Sequence, residues 1–215
     1  MKKNIIILIA ISVLLISCKT KDNSDKENKM ETIEIDYSTQ SFDDLFKKVA
    51  VKDFNENIFN LIEKAAILTS GTSENYNSMA IGWGAFGIYF QKPATFLSIR
   101  ANRYTLEFIK SSKTYTITCF DTTYFDQILH FGNASGRNTD KMGTHRLHST
   151  LTPTGNPAYK EANIIIECNL MEITTVSPDD FYFDEGKKFI NDAFIEAKDY
   201  HKIVAGEITN IWVKK

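Results

Sequence analysis

Two long β-branched runs near the end of the chain, 163–173 (NIIIECNLMEI) and 203–215 (IVAGEITNIWVKK), restrict the fold more than any other feature. Isoleucine, valine and threonine lose rotamer freedom in a helix but pack well on a pleated surface, so both runs read as strands. Strand-like segments also occur at 65–70, 94–100 (ATFLSIR) and 114–120 (TYTITCF). No strand–helix unit repeats among them, which argues against a doubly wound parallel sheet. The expectation is one mainly β domain, an antiparallel barrel with flanking helices.

Helical spacing is confined to short stretches. Phe42, Leu45, Phe46 and Val49, then Phe54, Ile58, Phe59, Leu61 and Ile62, predict one or two helices between Ser41 and Lys64, with Ser41 as N-cap and Asp43 and Asp44 in the first turn. Leu106, Phe108 and Ile109 predict another, capped by Thr105, and 124–131 a third. Residues 131–141 (FGNASGRNTDK) read as a loop, and 181–200 as a mixed insertion between the closing strands. The stretch 75–87 (NYNSMAIGWGAFG) reads as a strand interrupted by Gly82, Gly84 and Gly87.

The beginning of the chain is of a different kind. Lys2 and Lys3 precede an apolar stretch, Ile5 to Ile16, too short to span a bilayer and suited to a signal-peptide core. Leu15-Ile16-Ser17-Cys18 resembles the bacterial lipobox, which implies cleavage before Cys18 and lipidation of its thiol. Residues 19–30 alternate both charge signs and carry no apolar residue before Met30, so they read as a solvated tether. The expected organisation is a signal peptide at 1–17, a lipidated cysteine and tether at 18–40, and the folded domain at 41–215, held at a membrane of the cell envelope.

Composition excludes some functions. Lys and Arg total 25 against 27 acids without a dominant basic tract, so a nucleic-acid partner is not expected. The four histidines include His145-x-x-His148, yet no carboxylate or cysteine stands at ligand spacing, so no metal is expected. No Gly-x-Ser-x-Gly elbow or phosphate loop with lysine occurs. Paired acids Asp43-Asp44 and Asp179-Asp180 fit helix starts. Cys119 and Cys168, both in strand-like runs, are either a disulfide or two buried thiols.

Two polar clusters remain. Arg100-Ala101-Asn102-Arg103-Tyr104-Thr105 combines two guanidinium groups with a helix start, a combination suited to phosphate and also to surface arginines beside a cap. The second, 135–141, is a donor-rich loop.

With the stretches 66–71 and 77–84, these clusters resemble the flavin reductase-like, FMN-binding split-barrel proteins, including the flavoredoxin group; Gly206-Glu207-Ile208 also looks like the family's last strand. The resemblance spans nearly everything after the tether. It implies a split β-barrel homodimer with one FMN per subunit. Asn77, Ser78, Met79 and Ala80 would run beside the isoalloxazine. Arg100, Asn102, Arg103, Tyr104 and Thr105 would surround the phosphate, and a loop with Ser135, Gly136, Arg137 and Lys141 would close over the site. No catalytic side chain is required, because the flavin carries the redox chemistry. Departures occur at Ala101, at Asn138 and in 142–150, which places His145, Arg146 and His148 where substrate choice could be made. Because NAD(P)H is not generally available outside the cytoplasm, the expected activity is electron exchange with a redox partner or small acceptor. NAD(P)H-dependent flavin reduction and flavin binding without turnover are the alternatives.

Overall fold

The computed structural model describes residues 36–64, 66–194 and 199–215. The signal peptide, Cys18 and the tether up to residue 35 lie outside the described residues. Among the described residues ten strands occur: β1 (Phe46–Val49), β2 (Ala66–Gly71), β3 (Tyr76–Ala80), β4 (Gly84–Tyr89), β5 (Lys92–Arg100), β6 (Thr114–Cys119), β7 (Ser149–Leu151), β8 (Pro157–Tyr159), β9 (Ile164–Thr175) and β10 (His201–Lys214). The helices are α1 (Phe42–Leu45), α2 (Ile58–Lys64), α3 (Thr105–Ser112), α4 (Phe125–Asn133), α5 (Lys141–Thr144) and α6 (Asp184–Phe194).

The main sheet is antiparallel in the order β3-β2-β6-β9-β10-β5-β4, with β1 added to the far end of β10 and β7-β8 forming a separate hairpin. The outermost strands of that path, β3 and β4, are joined by only Ile81, Gly82 and Trp83. A link this short spans at most about 14 Å at roughly 3.5 Å per residue, whereas a flat sheet would hold the outer strands about 29 Å apart at ~4.8 Å per strand. The sheet must therefore curl until its ends approach, giving a barrel that stays open between β3 and β4.

The uninterrupted isoleucines of β9 follow from this architecture. Ile164 and Ile166 enter one apolar cluster with Leu68, Leu97, Ile117 and Val204, while Ile165 enters another with Ile67, Phe42, Phe120, Phe131 and Trp212. Both faces of the sheet are covered, so apolar residues are favoured at successive positions. Each fully buried isoleucine or leucine contributes roughly 1.5–3 kcal/mol. Register shifts at Ala205/Gly206 and Ile208/Asn210 bend β10 against β9.

Several expectations need correction. Ser41 does cap α1, in a reciprocal box with Asp44, but the helix stops at Leu45. Phe46–Val49, helical by spacing, is strand β1, because the end of β10 beyond its pairing with β5 offers an edge to fill. The stretch 75–87 is two strands rather than one interrupted strand. Gly84 is required by close approach, since a Cβ there would lie 2.9 Å from the Phe96 carbonyl oxygen; one at Gly82 would meet nothing within 4 Å. Thr105 is the first residue of α3 rather than its cap. Cys168 is paired with Tyr115, four positions along β6 from Cys119, a separation of about 13 Å at ~3.3 Å per residue. The two thiols are buried and free.

Candidate functional site

The sequence around the β5–α3 connection folds tightly, with the Arg103 N–H donating to the Arg100 carbonyl at 3.1 Å and the Leu106 N–H to that of Arg103 at 3.1 Å. This turn brings residues 102–105 beside β3 and opposite the loop after α4. Together they enclose a cavity of about 310 Å³.

Asn102, Arg103, Tyr104 and Thr105 form one wall, Asn77 and Met79 a second, and Ala134, Ser135, Gly136, Arg137 and Lys141 a third. Ala134 is a lining residue for which sequence carried no signal. Ser78 and Ala80 point to the opposite side of β3, as strand alternation requires. The Ser78 hydroxyl is buried in hydrogen bonds with Thr69 at 2.8 Å and Tyr159 at 2.6 Å, and Ala80 packs against the cluster around Phe131. Arg100 also lies outside the cavity. It is paired with Asp199 at 2.7 Å and its guanidinium covers the Phe194 ring at 4.9 Å. Cys18 lies outside the described residues.

The wall residues are interlocked. The Asn77 amide donates to the Thr105 hydroxyl at 2.6 Å, tying β3 to the start of α3. Gly136 lies so close to Asn77 that a Cβ would sit 2.2 Å from its Oδ1. Arg137 pairs with Glu107 and lies over the Tyr104 ring at 4.6 Å. Lys141 is only 3 % exposed, and its ammonium donates to the carbonyls of Ala134 at 3.0 Å and Phe131 at 3.3 Å. Burial, and then the neighbouring Arg103 charge, lower its pKa to about 8. One Arg103 N–H donates to the Gly132 carbonyl at 3.3 Å. An arginine has five such donors, and no other hydrogen bond of the Arg103 side chain is present among the described residues. No carboxylate lines this cavity.

A larger aromatic cavity, about 570 Å³, lies across β5 and β10 and is lined by Trp83, Phe181, Phe183, Phe189 and His201. His201 is cross-strand from Arg100. Its ring stacks on Trp83 at 5.1 Å and meets the edge of Phe194 at 4.7 Å, and its Nδ1 has no partner among the described residues. Burial, and then the Arg100 charge, lower its pKa, so the imidazole is neutral at pH 7. Its place at the start of the last long strand was the available signal. His145 and Arg146 line a third cavity with His130 and Asp126, while His148 bonds Glu161 at 2.7 Å; none of the three lines the first cavity. Among the described residues, no group of three or more His, Cys, Asp or Glu could hold a metal ion.

The flavin reductase like domain model matches residues 60–215. The chain belongs to the flavin reductase-like family. A search of curated protein sequences found no match. Among solved structures, this flavin reductase-like chain is similar to the FMN-binding protein of Thermus thermophilus with bound 1-cyclohex-2-enone, at 18 % identity and a TM-score of 0.54 over 78 % of this chain and 80 % of that one. It is also similar to flavoredoxin of Methanosarcina acetivorans, at 18 % identity and a TM-score of 0.52 over 77 % and 74 % of the two chains. The styrene monooxygenase flavin reductase of Pseudomonas putida S12 gives 15 % identity and 0.50 over 69 % and 78 %. These likenesses establish the split-barrel fold, and family membership establishes an oxidoreductase of the flavin reductase kind.

Proposed function

We propose that this flavin reductase-like protein binds FMN and exchanges electrons through it with a redox partner or a small acceptor, held at the cell envelope by lipid on Cys18. The observation that carries the FMN reading is the first cavity, lined by Arg103, Arg137 and Lys141 and by no carboxylate. Such a donor set fits a phosphate, and the spare donors of Arg103 have no other evident use. Arg103 and Lys141 would hold the phosphate, with Asn102, Thr105 and Ser135 adding neutral donors. Among the described strands β3 pairs only with β2, so the main-chain groups of its other edge remain to address the polar edge of the ring system.

FMN, when bound, supplies hydride and one-electron chemistry. The chain binds and orients it, and Lys141 and Arg103 place positive charge nearby. The aromatic cavity beside Arg100 suits a small ring-bearing acceptor, and the Thermus protein described with bound cyclohexenone supports that class. A homodimer accords with the exposed apolar residues Ile88 and Phe90 at the β4–β5 hairpin, 73 % and 75 % exposed.

Visible spectroscopy of the purified protein tests the reading. Oxidised-flavin bands, or saturable binding of added FMN, are expected, with Arg103→Ala weakening the affinity by about 2–4 kcal/mol through loss of a charge-assisted contact. Absence of bands together with failure to bind added FMN overturns it. Reduction by NADH in a stopped-flow trace would favour flavin reductase activity over exchange with a redox partner. Cys18→Ser should release the protein from membranes while leaving FMN binding intact.

A further inference from the structure

A fourth cavity, about 560 Å³, lies over β6, β9 and β10, between the β2–β3 turn and the β7–β8 connection. Register explains what faces it. Thr114 of β6 pairs with Asn169 of β9, and Asn210 of β10 pairs with Glu167, two positions from Asn169, so all four side chains share one face of the sheet. The register shift between Ile208 and Asn210 adds Thr209 to the lining, and Ser73, Ser112, Thr154 and Asn156 close it. Among the described residues this lining has no charged and no aromatic side chain, and none of it lines the first cavity.

Part of the lining is fixed from beneath. Buried Glu167 accepts from the Thr154 hydroxyl and from the Asn156 amide at 3.0 Å, the Thr209 hydroxyl donates to the Glu167 carbonyl at 3.2 Å, and the Ser112 hydroxyl is bonded to that of Ser70 at 2.9 Å. The rest is open: the side chains of Ser73, Thr114, Asn169 and Asn210 make no hydrogen bond among the described residues. Asn210 is the informative member, because an amide only 9 % exposed is ordinarily paired. Each of these groups both donates and accepts. Phosphates and carboxylates accept only and call for cations, while flat apolar ligands call for aromatic faces; this lining offers neither. A sugar hydroxyl, like the lining, is donor and acceptor at once, and an amide spans two neighbouring hydroxyls through its oxygen and its nitrogen. We propose that this cavity binds a short neutral oligosaccharide, with Asn169 and Asn210 as its principal contacts. The volume falls within the roughly 300–1,000 Å³ usual for small-molecule sites.

Saturation-transfer NMR on the full chain tests the site with two probes: maltotriose, which presents hydroxyls alone, and tri-N-acetylchitotriose, which adds acetamido groups able to pair with side-chain amides. Saturable transfer to at least one is expected. Asn169→Ala and Asn210→Ala should each raise its dissociation constant at least about threefold, the loss of one neutral hydrogen bond. Transfer confined to tri-N-acetylchitotriose assigns the site to N-acetylated glycans; transfer to maltotriose, alone or with the other, assigns it to sugar hydroxyls. If neither trisaccharide gives saturable transfer, or if Asn169→Ala shifts the constant by less than that, the oligosaccharide site is wrong. Asn169 is exposed and its side chain bonds nothing among the described residues, so this variant decides the matter even where Asn210→Ala fails to fold. Either result leaves the FMN reading untouched, because the two cavities share no lining residue.

Discussion

Lys141 shows how burial sets the chemistry of a single side chain. Its pKa is lowered to about 8 by burial and by Arg103, so in the ligand-free protein it loses its charge as pH rises through that value. The sign follows directly: an anionic ligand is attracted below about pH 8 and loses that partner above it. FMN affinity measured by fluorescence quenching should fall between pH 7 and 9.5, and Lys141→Met should flatten that fall. Gly136 acts by what it lacks. A Cβ there would lie 2.2 Å from Asn77 Oδ1, and Asn77 is held by its bond to Thr105. Gly136→Ala should therefore push the loop off the cavity and weaken FMN about tenfold, ~1.4 kcal/mol, with the thermal transition nearly unchanged.

Elements add a constraint that individual residues do not show. Glu167 of β9 is fully buried, yet one of its oxygens accepts from Thr152, Thr154 and Asn156 of the β7–β8 connection, and the other from the Trp212 indole N–H of β10 at 2.9 Å. Burial pushes its pKa up, but the four donors outweigh it and leave the pKa below the usual 4.5. The stabilisation is thus complete above pH 4.5 and is lost as pH falls through the lower folded value. Glu167→Gln should cost about 1–3 kcal/mol at pH 7, because an amide nitrogen would face a donor. Denaturant titrations across pH 3–6 should show a shallower acid loss in that variant. In the sequence, the isoleucine runs made β9 and β10 legible, since β-branched residues on both faces leave few alternatives. The segments 102–105 and 135–141 were legible as donor clusters beside a helix start. Which face of β3 meets the cavity was not, because alternation alone cannot say whether Asn77 or Ser78 points inward. Nor was the fate of Arg100, which depends on Asp199, a residue 99 positions away.

At the scale of the whole molecule, Cys119 and Cys168 report on the core. Burial pushes both thiols up to about 12, and the thiolate is the reactive form. Labelling by a disulfide reagent at pH 8 should consequently follow global unfolding, with a rate that rises with denaturant as the cooperative transition does. Fast labelling of either cysteine in native buffer would contradict their placement. The paired edges of β1 and β10 bring distant parts of the chain together: the Lys215 N–H donates to the Leu45 carbonyl at 2.9 Å, and the Lys214 ammonium to the Tyr37 hydroxyl at 2.6 Å. Lys160 fixes the same segment through the carbonyls of Tyr37 and Gln40 at 2.8 and 2.6 Å. A short linker could therefore join Lys215 to the stretch before Tyr37, and the domain reopened at the exposed Phe90–Gln91 turn would be a circular permutant with the same barrel.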